Sequence, residues 1–64
     1  MRTLDRTAKK ITIEVTKNEI AQKGFDNLWD ELREIYPKSL YDVDNVKDCE
    51  GGKIIIVTLK LVKN

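Results

Sequence analysis

From Lys10 to Thr16 apolar and polar residues alternate without a break, with Ile11, Ile13 and Val15 on one side and Thr12, Glu14 and Thr16 on the other. A period of two is the mark of a strand that buries one face. The period then changes. Thr16-Lys17-Asn18-Glu19 has the spacing of a capping box, in which the Thr hydroxyl accepts from the amide three residues on and the Glu carboxylate reaches back, so a helix is expected to begin here or a turn later. On a helical wheel Gly24, Ile35, Leu28, Ala21, Leu32, Phe25, Tyr36 and Trp29 share one arc of roughly 140°, the width of a helix lying on a sheet. Asp26, Asp30, Glu34, Lys23, Asn27 and Arg33 take the opposite arc. Pro37 stops the helix because it lacks an amide donor and pushes Tyr36 out of the α region. The period favours one continuous helix through Gly24; the alternative is a loop there, with the helix starting at Asp26.

Between Leu40 and Cys49 the alternation fails, since Tyr41 and Val43 share one parity and Val46 has the other. A bulge near Asp44-Asn45 would reconcile them, and the segment reads as an irregular polar edge strand. Glu50-Gly51-Gly52-Lys53 is a hairpin turn whose glycines can take positive φ. Residues 53–62 form the most apolar run, with Ile55, Val57, Leu59 and Leu61 on one face and Ile54, Ile56, Thr58 and Lys60 on the other. A right-handed crossover followed by a hairpin, with the most apolar strand in the centre, gives an α+β fold of two layers. Its order is β-α-β-β, with a three-stranded antiparallel sheet ordered 1-3-2 and one helix packed on one face. That face carries Ile11, Ile13, Val15, Ile55, Val57, Leu59 and Leu61. Residues 1–9 show no period and are expected to be a flexible basic arm or a short extension that covers an edge; residues 10–64 are expected to be one domain.

A chain of 64 residues holds one small domain of marginal stability, which burial of a second face by a partner would raise. Cys49 is the only cysteine and histidine is absent, which excludes an internal disulfide and any Cys/His zinc cluster. There is no apolar run of bilayer-spanning length and no signal-peptide pattern at the start, so a soluble cytoplasmic protein is expected. The net charge of +1 gives no global field toward nucleic acid or membrane. Its distribution is uneven, with six positive and three negative residues in 1–25, three positive and eight negative in 26–50, and three positive in 51–64. A bipolar surface of this kind favours ordered association.

Catalysis has little to work with: no histidine, no phosphate-binding glycine loop, no GxSxG, and a cysteine without an activating base. No cofactor is expected, and the chain is not expected to be an enzyme. Asp42 to Gly51 is rich in oxygen ligands, but Val46 and Lys47 stand where a calcium loop needs an oxygen ligand and glycine, so no metal site is expected. Ile54 and Ile56 point to the face of the sheet that has no helix, where they mark either a protein interface or two half-exposed β-branched residues suited to a strand, unless Leu4 folds over them. Trp29, at the border of the apolar arc, joins them as an interface candidate or belongs to the core. Asp26, Asp30 and Glu34 form an acidic stripe that is either a contact surface or a solvated face. Arg2, Arg6, Lys9 and Lys10, with Lys17, Lys53, Lys60 and Lys63 near the same strands, are the candidates for phosphate contacts.

The strand Lys10-Ile11-Thr12-Ile13-Glu14-Val15-Thr16, the amphipathic helix ending at Tyr36-Pro37 and the return through two more strands resemble the DinI family over about residues 10 to 62. That family consists of small bacterial and phage proteins that bind and modulate RecA filaments. The resemblance implies a protein-binding regulator, with the acidic helix stripe as the nearest counterpart of the family's acidic second helix, for which this sequence has no match after its last strand. The expectation is therefore a non-enzymatic interaction or regulatory module, self-associating or binding a larger protein through the open sheet face. The alternative is a nucleic-acid-binding module that uses the basic arm.

Overall fold

The computed structural model describes residues 1–62 and is an α+β fold with an antiparallel sheet under two helices. The elements are β1 (Arg2–Arg6), β2 (Lys10–Thr16), α1 (Lys17–Lys23), α2 (Phe25–Ile35), β3 (Tyr41–Cys49) and β4 (Ile54–Leu61), with a 3-10 turn at Glu50–Gly52. The sheet order is β1-β2-β4-β3. The apolar β4 is interior, as the pattern requires, but the sheet has four strands rather than three. Residues 2–6 of the expected arm pair antiparallel with β2, Arg2 opposite Glu14 and Arg6 opposite Ile11. Every residue of β1 is exposed and its register slips at Leu4; a strand that buries nothing carries no alternation, which is why its sequence has no period.

One helix is likewise two. Thr16 caps α1 as its sequence predicts: the Glu19 amide donates to the Thr16 hydroxyl at 3.3 Å and the Thr16 amide donates to the Glu19 carboxylate at 3.2 Å. The chain then turns at Gly24, with φ 84° and ψ 141°, a backbone region that costs other residues dearly. The Asn27 side-chain amide donates to the Lys23 carbonyl at 2.6 Å, satisfying one group that the break exposes. Breaking the helix uncouples the two phases. Ala21, on the common arc of the wheel, is exposed, whereas Ile20 packs against the core.

The core lies between α2 and the two inner strands. Leu28 and Leu32 of α2 close over Ile11, Ile13, Val15, Val57 and Leu59, with Met1, Ile20, Trp29, Tyr36, Tyr41 and Ile55 at its margin. Leu61, expected beneath the helix, is exposed. At the C-terminal end of α2, the Pro37 carbonyl accepts from the amides of Leu40 and Tyr41 at 2.9 and 3.0 Å, and Tyr36 meets Tyr41 edge to face at 5.5 Å. The β3 bulge is present: Val43 pairs with Leu59 and Asn45 with Thr58, leaving Asp44 as the extra residue. Among the described residues no helix is long and apolar enough to cross a membrane.

Gly24→Ala separates a true break from a continuous helix. In a helix interior the change stabilises by about 1 kcal/mol; at the observed φ and ψ it costs about 1–3 kcal/mol, although the added Cβ meets nothing closer than 3.8 Å. A lower urea midpoint is expected, and a higher one contradicts the break.

Candidate functional site

Opposed residues in an antiparallel sheet share a face, so the register sorts every strand residue. On the face away from the helices, Cys49, Ile54 and Thr16 form one row across β3, β4 and β2; Lys47, Ile56 and Glu14 form the next; Asn45, Thr58 and Thr12 a third. Ile54 and Ile56 are half-buried here without any helix above them, because each central residue is flanked on both sides. Leu4 does not cover them. It sits at the β1 slip, with β2 between it and β4.

The same face carries two ion pairs of the basic segment, which also pairs its terminal amine at Met1 with Glu19 of α1. Arg2 meets Glu14 at 3.2 Å, and Lys10 reaches across β4 to Asp44 in the β3 bulge at 3.3 Å. Arg6, opposite Ile11, belongs to the helix side, and Lys9 is exposed in the turn before β2. The four basic candidates are therefore divided between faces, and two already have carboxylate partners. Of the further lysines, Lys63 lies outside the described residues. Asp26, Asp30 and Glu34 run along the exposed side of α2, and among the described residues none of the three makes an ion pair. The acidic stripe and the basic strand do not form a common site.

The helix side of β3 is different. Tyr41, Val43, Val46 and Asp48 lie on it, opposite Leu61, Leu59, Val57 and Ile55. α2 stands over β2 and β4, and its shielding does not extend to the edge: Val43 is 40% and Val46 50% exposed, while their partners Leu59 and Val57 are fully buried. The flank of α2 that looks toward this strip is identified by two contacts at its end, Tyr36 against Tyr41 and the Arg33 guanidinium donating to the Tyr41 carbonyl at 2.7 Å. Trp29 is on that flank, half-buried and stacked on Phe25 at 5.9 Å with an interplanar angle of 15°. Phe25 is 42% exposed. Trp29 is thus at once a margin of the core and the back of an exposed aromatic ring.

Hydrogen bonding makes the strip more than an apolar patch. The Val62 amide donates toward β3, to the Leu40 carbonyl, and the Leu61 amide donates the other way, to Lys9. Alternation from these two bonds turns the amides and carbonyls of β3 toward β4 at Asp42, Asn45, Lys47 and Cys49. Those of Val43, Val46 and Asp48 turn outward, away from β4. The residues of β3 with exposed apolar side chains, Val43 and Val46, also have main-chain groups without a partner among the described residues. Sequence reasoning found the bulge and the edge position but did not select Val43, Val46 or Phe25; the change of parity between Val43 and Val46 was the available signal.

Two shallow clefts lie among the described residues. One, between β1 and α2, includes Met1, Thr3, Leu32 and Ile35, and the other Thr16, Lys17, Asn18 and Lys53. Neither brings a carboxylate beside a second acid or base. Comparison with protein-family models, curated proteins and solved structures finds no match for this chain.

Replacing Phe25 with Ala is expected to shift Trp29 emission to longer wavelength and increase its quenching by acrylamide, with the far-ultraviolet circular dichroism unchanged. An unaltered spectrum would mean that the stack does not shield the indole.

Proposed function

We propose that this chain is a non-enzymatic protein-interaction module and that its docking surface is the β3 edge, on the side facing α2. The observation that carries this reading is the coincidence at Val43 and Val46 of exposed apolar side chains with unpaired, outward-turned main-chain groups. Added strands bind through main-chain hydrogen bonds and take specificity from alternate side chains, and this edge offers both. Phe25 and Trp29 add aromatic surface on the flank of α2 that also carries Arg33, whose guanidinium donates to the Tyr41 carbonyl of β3. Ile54 and Ile56 on the open face are the competing surface, with less exposure and with their main-chain groups already in the sheet.

Site-specific photo-crosslinking distinguishes the two faces whatever the partner. With benzoylphenylalanine at position 46 or at position 56, covalent protein adducts in the expressing cell are expected from 46. Adducts from 56 alone would move the site to the open face, and adducts from neither would overturn the interaction reading.

A further inference from the structure

We propose that the occupant of the β3 edge is a second copy of the same chain, paired antiparallel about a two-fold axis with Val43 opposite Val46 of the second copy. This rests on the β3 edge being the docking surface. A two-fold axis through a strand pair exchanges each residue with the one it faces, so the two must have the same hydrogen-bonding phase and lie on the same face. Residues three apart in a regular strand fail on both counts. Val43 and Val46 meet both because the bulge at Asp44 inserts one residue between them: their partners on β4, Leu59 and Val57, are two apart.

Side-chain chemistry selects this register among those the phase allows. With Val43 facing Val46, the two pairs related by the axis put four exposed valines together on the helix side. Asp42 then faces Lys47 of the second copy, twice, on the other side of the sheet. Moving the axis to Val46 sets Val43 against the Asp48 carboxylate. Moving it to Val43 sets Val46 against Tyr41, whose amide and carbonyl are already taken by Pro37 and Arg33. Pairing through β1 is blunted by Arg2, Asp5 and Arg6, with Leu4 at a slip in register. In the chosen register both α2 helices lie on one face of an eight-stranded sheet, the same face as the four valines.

Sedimentation equilibrium of the full chain tests the assembly, and charge exchange tests the register. Wild type is expected to be a dimer. Asp42→Lys and Lys47→Asp are each expected to weaken it about tenfold or more, which corresponds to about 1.4 kcal/mol, because each faces like charges across the axis. The double exchange Asp42→Lys/Lys47→Asp is expected to return the dissociation constant to near the wild-type value. Asp42→Lys also meets Lys60 within its own sheet, so a second measurement avoids it. In a Cys49→Ser background, an equimolar mixture of Val43→Cys and Val46→Cys chains is expected to oxidise to the mixed disulfide in preference to either homodisulfide. Homodisulfides alone, or a dimer indifferent to both single charge changes, would overturn the register. A wild-type monomer at all concentrations, with position 46 still crosslinking to another protein, would overturn self-pairing and leave the β3 edge as a docking surface. A monomer with no crosslink from position 46 would remove both.

Discussion

An α-helix with its side chains is about 10 Å across and strands lie about 4.8 Å apart, so one helix shields about two strands from water. The exposure pattern of this protein follows from that mismatch. Among the described residues α2 is the only helix with buried residues, Leu28 and Leu32, and it closes over β2 and β4, where Ile11, Ile13, Val15, Val57 and Leu59 are buried. The strands on either side extend beyond its shelter. On the β1 side the sequence puts charges and threonine there, at little cost. On the β3 side it puts valines.

The two sheet edges are thus finished differently, and the difference lies in residue type rather than backbone. Both strands contain an irregularity in register, a device that ordinarily discourages further pairing by increasing twist and leaving a residue unmatched. In β1 it is combined with Arg2, Asp5 and Arg6. In β3 it brings two valines into the same phase, and the bulged Asp44 pairs with Lys10 of β2 at 3.3 Å. The same kind of irregularity accompanies charged residues at one edge and places two exposed valines on one face at the other.

The open face, where Ile54 and Ile56 invite attention in the sequence, is quieter in three dimensions. A central strand is covered from the sides as well as from above, and Thr16, Cys49, Glu14 and Lys47 supply that lateral cover. Apolar residues lacking a helix above them are consequently not equivalent: Ile56, between two neighbours, loses most of its exposure, whereas Val46, with a neighbour on one side only, does not.

The sequence by itself determined the elements whose signal is local: the strict alternation of β2, the apolar run of β4, the Thr16–Glu19 capping box, the stop at Pro37, the bulge near Asp44 and the glycine turn that joins β3 to β4. Each depends on residues within a turn or a strand of one another, where side-chain period and backbone preference act directly. Tertiary structure decided the rest. β1 exists because β2 has an open edge to pair with, not because Arg2 to Arg6 favour a strand. The break at Gly24 lets α1 and α2 meet the sheet at different phases, a need that no wheel drawn over both can display. The exposure of Val43 and Val46 depends on how far α2 reaches across the sheet, and that distance is set by packing between segments remote in the chain.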